Sequence, residues 1–533
     1  MSKIDPLFMI SVSIFLALFA GCAQNAAMPV PSPQPTESWC PLPTSESAAS
    51  LTPLPTPEPT PTQPDMGYEP TQCRTSTRAR LEIECGDLTV LEDRSRPDGN
   101  LIKLYVAIVH SPDPNPEPDP LVVLEGGPGW PASISMDYWL TVFQNVLKQR
   151  DVILLDQRGT GKSQPSLDCP EVPDQIYAYL AENLSAADEM KLDTQALQVC
   201  HDRLVQAGVD LAAYTSATNA VDVEDLRKAL GYAQWNLYGG SYGTRLALNV
   251  MRDYPEGVRS AILDSVCLPQ ADHYAEIAAS GERAFNLLFE SCAADPACNQ
   301  AYPDLVDVFY GLVEQLDTEP VNLTVTPYMS GTSIPMKLNG DRLINAMFSM
   351  LYNSDLIPRL PKMIYEFKEG NWTGLQQEIS QNLGMYAYLS EGMGTSVNCS
   401  DEATFSSEEA VQSAHPEVNP RLRAALYFSP IFETCAFWGA AVSPPIEAQE
   451  VSSDVPTLIL AGEYDPIHPP SWGQQAAETL PQAQYLEFPG YGHGALAPTN
   501  LCALKILDQF LANPAAPVDA SCVEKIKPTF RTK

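Results

Sequence analysis

Short apolar segments bounded by turn-forming residues alternate with amphipathic segments in two parts of the chain. The apolar residues in these segments are nearly continuous, as is typical of strands that are buried on both faces of a sheet. The predicted strands are residues 101–109, 121–124, 152–155, 235–238, 261–263, 457–461 and 485–488. Helical periodicity between them, for example at 221–230 and 244–254, predicts an α/β fold in which helices cover both faces of a mostly parallel sheet.

Residues from about 271 to 452 interrupt this alternation. Their pattern is mostly helical, with longer polar loops and few strand signals. We therefore predict a core in two parts, 73–270 and 453–533, and an inserted, mainly helical cap at 271–452.

Residues 1–22 have the pattern of a targeting segment. An apolar run at 7–19 is too short to span a bilayer, and it is followed by Ala20-Gly21-Cys22. Small residues directly before a cysteine resemble a bacterial lipobox, in which Cys22 is lipidated after cleavage. The alternative is an ordinary signal peptide with an incidental cysteine. Both interpretations predict an extracytoplasmic protein, which contacts a membrane only through a lipid on Cys22 or is otherwise secreted.

Residues 23–72 are rich in proline, threonine and serine, and this composition predicts an extended linker. The chain has 13 cysteines, and without Cys22 their number is even, which fits an oxidising compartment. Closeness along the chain suggests the pairs Cys169–Cys200, Cys292–Cys298, Cys399–Cys435 and Cys502–Cys522. Because no group of cysteines and histidines has the spacing of metal ligands, no metal site is predicted.

The formal net charge of −35 argues against nucleic acid as a partner, because phosphate binding needs clusters of lysine and arginine. The segment 159–163, Gly-Thr-Gly-Lys-Ser, lacks the glycine spacing of a phosphate loop. We therefore predict no nucleotide site.

The segment Gly239-Gly240-Ser241-Tyr242-Gly243 has the pattern G-x-S-x-G between a predicted strand and a predicted helix. A serine on such a sharp turn is held above the sheet, and flanking glycines avoid clashes in the strained backbone. The helix that begins there directs the positive end of its dipole at the serine, which favours a developing negative charge. We predict that Ser241 is a nucleophile. The alternative is a glycine-rich turn whose serine only caps the helix.

A serine hydroxyl needs a general base, and the base needs an orienting carboxylate. Of the six histidines, His493 lies in a glycine-rich loop after the last predicted strand, and His468 is its competitor. Asp465 lies just past another predicted strand, from where its carboxylate can reach the histidine loop. Glu463 and Asp264 are its rivals. With Asp465 and His493, the three groups follow the chain order Ser, Asp, His that is expected of an α/β-hydrolase.

The segment 126–129, Gly-Gly-Pro-Gly, directly follows a predicted strand. Residues without side chains let backbone N–H groups approach an oxyanion closely, and loss of one such donor typically costs about 2.7–4 kcal/mol of barrier. We expect Gly127 or Gly126 to supply one donor and Tyr242, which follows the nucleophile, to supply the other. A simple tight turn is the alternative for the segment taken alone.

Five segments, EGGPG, DQRGTGKS, GGSYG, AGEYDPIHP and GYGHG, occur in this order. Together they resemble the proline iminopeptidase and tripeptidyl aminopeptidase family of serine α/β-hydrolases, over residues 81–522. The end of the chain, with Cys502 and Cys522, is similar to that family's tripeptidyl-aminopeptidase-like C-terminal region. Proline iminopeptidases usually carry a histidine before the double glycine, where this chain has Glu125. The resemblance is therefore greater to the larger, secreted tripeptidyl type.

The resemblance implies a serine peptidase of the aminopeptidase type, which hydrolyses peptides from the N-terminus. Ser241 attacks the carbonyl, His493 transfers the proton, Asp465 orients the imidazole, and water hydrolyses the acyl-enzyme. No metal or organic cofactor is required. An esterase or another small-molecule hydrolase on the same fold is the first alternative, and a non-catalytic surface binding protein is the second.

An exopeptidase of this type binds the free N-terminal ammonium of its peptide substrate, and carboxylates suit that task. Asp401 and Glu402, in the segment VNCSDEATF, are candidates because the segment resembles a cysteine–acid element near the family's site. Glu125 is a further candidate. A solvated charge beside a disulfide is the alternative for the first two residues.

Overall fold

The computed structural model describes residues 67–75, 77, 81–328, 330–426 and 430–532. The predicted signal peptide, Cys22 and most of the predicted linker lie outside these residues. None of the helices in the described residues is long and apolar enough to cross a membrane.

The strands of the described residues are β1 (Gly67–Thr71), β2 (Ile83–Leu91), β3 (Leu101–Val109), β4 (Leu121–Leu124), β5 (Val152–Leu155), β6 (Trp235–Gly240), β7 (Val258–Asp264), β8 (Val321–Val325), β9 (Ile334–Leu338), β10 (Thr457–Gly462) and β11 (Ala483–Phe488). Nine of them form one sheet in the order β1-β2-β3-β5-β4-β6-β7-β10-β11. The strands from β5 to β11 in that order are parallel, and β1, β2 and β3 are antiparallel to their neighbours. All seven predicted strands are present, and the predicted α/β-hydrolase fold is confirmed.

The helices are α1 (Met136–Val142), α2 (Glu171–Tyr179), α3 (Ala186–Gln206), α4 (Ser216–Ala229), α5 (Tyr242–Asp253), α6 (His273–Ala294), α7 (Pro296–Ala301), α8 (Leu305–Thr318), α9 (Gly340–Leu351), α10 (Leu360–Lys368), α11 (Thr373–Met385), α12 (Glu391–Asp401), α13 (Glu408–Ser413), α14 (Pro420–Ala425), α15 (Pro430–Trp438), α16 (Pro470–Thr479) and α17 (Leu501–Ala512). Helices α4, α5 and α16 pack on one face of the large sheet, and α1 and α17 pack on the other. Helix α17 packs on the sheet because its buried residues recur at the three- and four-residue spacing of one apolar helix face.

The end of the predicted linker is part of the sheet. Residues 67–71 form β1, which pairs antiparallel with β2, and the Cys73–Cys85 disulfide joins the two segments. The prediction of an extended linker to residue 72 is therefore wrong for these residues. Strand β2 was not predicted because polar residues such as Asp87 interrupt its apolar pattern. That carboxylate is buried as the partner of Arg74.

Cap helices come from two parts of the chain. Residues 273–438 supply α6 to α15 and the β8–β9 hairpin. Helices α2 and α3, which the sequence analysis grouped with the core, share the hydrophobic cluster of the cap, where Leu197 and Trp438 are buried together. The predicted boundary at residue 270 therefore assigns α2 and α3 to the core, although they pack with the cap.

The four predicted disulfides, Cys169–Cys200, Cys292–Cys298, Cys399–Cys435 and Cys502–Cys522, are all formed. With Cys73–Cys85 they account for every cysteine of the described residues except Cys267, which is a buried free thiol.

Candidate active site

Ser241 lies on the turn between β6 and α5, with φ 55° and ψ −127°. This positive φ is rare for a residue with a side chain, and it marks a strained nucleophile elbow. A Cβ atom on Gly239 would lie 2.3 Å from the carbonyl oxygen of Gly243, and one on Gly243 would lie 2.0 Å from that of Leu124. Backbone packs directly on backbone here, so both flanking positions require glycine.

His493 and Asp465 are joined by a hydrogen bond of 2.8 Å between Nδ1 and Oδ2. The other carboxylate oxygen of Asp465 accepts the backbone N–H groups of Ile467 and His468, at 3.1 and 2.9 Å. Burial alone raises the pKa of Asp465, but His493 and these hydrogen bonds outweigh burial and lower the pKa to about 2. An ionised Asp465 can only accept, so Nδ1 of His493 donates and Nε2 has a free lone pair for a proton.

Ser241 and His493 line the same cavity, which encloses about 900 Å³ up to its open mouth. We call it the histidine-side cavity. No hydrogen bond joins the two side chains among the contacts of the described residues. Such contacts are often long in a free enzyme and shorten when substrate binds.

The rival acids bind backbone on either side of His493 instead. Glu463 accepts the N–H of Gly490 at 2.7 Å. Asp264 accepts the N–H groups of Ala495 and Leu496 at 2.7 and 2.8 Å. Both carboxylates therefore fix the loop that carries the histidine, whereas Asp465 contacts the imidazole itself.

His468 does not occupy the position of a base. Its Nδ1 donates to the carbonyl oxygen of Ser265 at 3.0 Å, and its ring centre lies 5.2 Å from that of His493. Burial, assisted by the neighbouring His493, lowers the pKa of His468 to about 4. It is therefore a neutral neighbour of the histidine in the site.

A second cavity also has Ser241 in its wall, together with Gly127, Tyr242 and Glu402. We call it the oxyanion-side cavity. Gly126 lies against the nucleophile, because a Cβ atom there would be 3.5 Å from Oγ of Ser241. Gly127 lines the oxyanion-side cavity, whereas Gly126 lines the histidine-side cavity, so Gly127 is the better placed of the two candidate donors.

Glu125 lines the histidine-side cavity but is only 6 % exposed. Burial raises the pKa of its carboxyl to about 7, against hydrogen bonds from Trp139, Ser135 and the N–H of Gly126. These three donors surround the carboxyl and hold it in place.

The two acids of the cap differ in position. Glu402 lines the oxyanion-side cavity, where Oε1 is paired with the buried Arg245. Burial raises the pKa of Glu402 to about 8, although Arg245 favours the charged form. Asp401 is buried and accepts the N–H of Ser216 and the hydroxyl of Ser443, at 2.8 and 2.7 Å. It lines neither cavity, so the prediction that its carboxylate meets a substrate is not supported.

Sequence reasoning missed three residues that position the site. Arg283 of α6 donates to the carbonyl oxygens of Glu463 and Asp465, at 2.8 and 2.5 Å. The carbonyl oxygen of Tyr352, just after α9, accepts the N–H of His493 at 3.0 Å. Arg245 lies one helical turn after the nucleophile on α5. Only Arg245 had a signal in the sequence, namely a charged residue on a helix expected to be buried.

The fold also brings together side chains that could ligate a metal. One ligand atom from each of Cys267, His273 and His468 lies within 4.8 Å of the others. Cys267 and His273 are six residues apart, but His468 lies far along the chain, so the spacing of ligands in the sequence gave no indication of the group.

Two regions of the chain match models of known protein families. Residues 119–310 match the family described as alpha/beta hydrolase fold, and residues 423–522 match the family described as TAP-like protein. The first match spans the nucleophile elbow and the glycine segment at 126–129. The second spans the acid and the histidine.

Three similar proteins carry peptidase names. Serine protease Hip1 of Mycobacterium tuberculosis is 26% identical over 485 residues, which are 85% of this chain and 91% of that protein. Tripeptidyl aminopeptidase of Streptomyces lividans is 30% identical over 217 residues, which are 39% of each chain. Proline iminopeptidase of Neisseria meningitidis is 23% identical over 279 residues, which are 52% of this chain and 72% of that protein.

Proposed function

Because this chain is a serine hydrolase of the α/β-hydrolase fold with a TAP-like C-terminal region, we propose that it is an exopeptidase that removes short segments from the N-terminus of peptides. The observation that carries this proposal is the meeting of two cavities at Ser241. One contains the base, and the other contains a partly buried carboxylate and two candidate oxyanion donors. A peptide can therefore be held on both sides of its scissile bond.

In this mechanism Nε2 of His493 takes the proton of the Ser241 hydroxyl as Oγ attacks the peptide carbonyl. Asp465 holds the imidazole in the required tautomer and stabilises the imidazolium. The N–H groups of Gly127 and Tyr242 bind the oxyanion, assisted by the N-terminus of α5. His493 then protonates the leaving amine, and water attacks the acyl-enzyme by the same route in reverse.

The acyl half of the substrate, which bears the free N-terminus, occupies the oxyanion-side cavity. Glu402 binds the ammonium there. Arg245 contacts only Oε1, and Oε2 has no hydrogen-bond partner among the described residues. An ammonium group that approaches Oε2 also offsets the cost of a carboxylate buried in this wall. Glu125 is the weaker candidate because three donors already surround it.

The protein acts outside the cytoplasm, attached to a membrane through a lipid on Cys22 or secreted. The apolar run before Cys22 and the linker composition support this location. The five disulfides of the described residues are consistent with an oxidising compartment.

A peptide library with mass-spectrometric product identification tests the proposal. Each peptide is offered with a free and with an acetylated N-terminus, and Ser241→Ala is the control enzyme. We expect N-terminal di- or tripeptides from the free peptides, little product from the acetylated set and none with the variant. Release of single prolines would make the enzyme an iminopeptidase. Cleavage of simple acyl esters but of no peptide would contradict the proposal and leave an esterase.

A further inference from the structure

Two distant parts of the chain, residues 267–273 and the loop with His468, place a thiol and two imidazoles side by side. Cys267 follows β7, His273 is the first residue of α6, and His468 lies between β10 and α16. One ligand atom from each is within 4.8 Å of the others, and Sγ of Cys267 lies 3.5 Å from Nε2 of His273. A tetrahedral Zn²⁺ with ordinary bond lengths holds a sulfur and a ring nitrogen about 3.5 Å apart. The pair already has the separation that the ion requires.

The backbone orients the ring of His468. Its Nδ1 donates to the carbonyl oxygen of Ser265 at 3.0 Å, so Nε2 is the nitrogen left for an ion. Backbone partners of this kind fix the tautomer and orientation of ligating histidines.

The backbone holds the thiol in position as well. The N–H of Cys267 donates to the hydroxyl of Thr244 at 2.8 Å. Cys267 is the cysteine of the described residues that has no disulfide partner. A bound cation would release a proton as the thiolate forms.

The cluster has an entrance from a cavity, and a carboxylate lies beside it. Cys267, His273 and His468 all line the oxyanion-side cavity, as do Ser241 and Glu402. Oε1 of Glu402 lies 3.9 Å from Nε2 of His273. A thiolate and a carboxylate together offset the charge of a divalent ion, and the positive Arg245 remains paired with Glu402.

We propose that Cys267, His273 and His468 form a Zn²⁺ site in the wall of the oxyanion-side cavity, and that the bound ion inhibits the enzyme. Thiolate and neutral imidazole are ligands that Zn²⁺ prefers, and three protein ligands leave a fourth position open to the cavity. An ion at this place excludes the acyl half of the substrate and adds positive charge where its ammonium binds. The metal site is independent of the proposed function, whereas the inhibition rests on it.

Isothermal titration of the purified protein with Zn²⁺ tests the site without reference to activity. We expect one ion per chain, bound more than about tenfold more weakly by Cys267→Ser and by His273→Gln. His415→Gln, which changes a half-exposed ion pair with Glu276 of α6, is the matched control and keeps the wild-type affinity. Absence of Zn²⁺ binding by the wild type, or equal affinity in all four proteins, overturns the site.

Two further measurements are made on the wild-type protein, so they do not depend on folding of the variants. Co²⁺ in place of Zn²⁺ should give the thiolate-to-cobalt charge-transfer absorption of a sulfur ligand, and its absence with Co²⁺ bound contradicts ligation by Cys267. Zn²⁺ should slow fluorophosphonate labelling of the enzyme, and a chelator should restore it. If one Zn²⁺ binds per chain but the rate of fluorophosphonate labelling is unchanged, the proposed inhibition is wrong and the proposed metal site stands.

Discussion

The two cavities that meet at Ser241 are built from different parts of the molecule. The histidine-side cavity is lined largely by core loops that carry Glu125, Asp264 and His493. The oxyanion-side cavity has a wall from the cap, with His273 and Glu402. In the proposed mechanism the groups for proton transfer come from the hydrolase core, and the group that binds the substrate ammonium comes from the insertion. Under that proposal the core determines the reaction and the cap determines which substrate reacts.

The largest expected effect is on the core side. His493→Ala should lower kcat by about 10⁶-fold, because the hydroxyl loses its base and the groups of such a site act as a unit. Hydrolysis of an N-blocked ester is the measurement, since it does not involve the ammonium site. His415→Ala is the control. A variant that retains a hundredth of the wild-type kcat would remove His493 from the mechanism.

Asp465→Asn should lower kcat by about 10⁴-fold, because an amide stabilises the wrong imidazole tautomer. Asp264→Asn is the matched comparison. It weakens the backbone hydrogen bonds of the same loop, so we expect a lower thermal midpoint and a much smaller loss of kcat. If Asp264→Asn lost as much kcat as Asp465→Asn, the assignment of the acid would be wrong.

Glu402→Gln tests the cap side of the comparison. We expect KM for free-amine peptide amides to rise by about 10–100-fold, which corresponds to the loss of one hydrogen bond to a charged group. KM for an N-acetylated ester should change little. Because Arg245 loses its buried partner, the variant should also be less stable. The ester substrate separates that cost from recognition. Glu125→Gln, on the core side, should leave both KM values nearly unchanged, and a similar rise in the two variants contradicts the assignment.

The smallest effect is on stability against pH. The Glu125 carboxyl has a pKa of about 7 in the folded protein, above its value in an unfolded chain. Its contribution to stability is therefore complete below pH about 4.5 and is lost as the pH rises through 7. Glu125→Gln should remove this loss and gain at most about 3 kcal/mol at pH 8 relative to pH 5. Parallel pH profiles of urea unfolding for the two proteins would contradict a buried, titrating Glu125.

Parts of the site that depend on local sequence were predictable, and parts that depend on packing were not. The elbow at Ser241 needs glycines on both sides, and the histidine loop directly follows the last strand. Each of these features can therefore be recognised as a short pattern in the sequence. The Cys267–His273–His468 cluster is completed by His468 from a distant part of the chain and leaves no such pattern. Asp401 shows the reverse error. It is adjacent to Glu402, but Asp401 ends α12 and its side chain is buried against protein, whereas Glu402 follows the helix and lines the cavity.

The edges of the fold show the same limit. Strand β10 was predicted because its apolar run is buried on both faces, whereas β1 lies at the edge of the sheet with intermediate or exposed residues and has a polar sequence. Helices α2 and α3 precede the nucleophile in the chain but pack on the cap. Their apolar faces determine that they pack on the cap, and the order of elements along the chain does not reveal this.

The central claim is that Ser241, activated by His493 and Asp465, is the nucleophile shared by both cavities. Labelling with a fluorophosphonate and mapping the adduct by mass spectrometry tests it most directly. We expect one adduct per chain, on Ser241, formed much more slowly in His493→Ala and absent in Ser241→Ala. An adduct on another residue, or equal labelling of the folded Ser241→Ala protein, would contradict it.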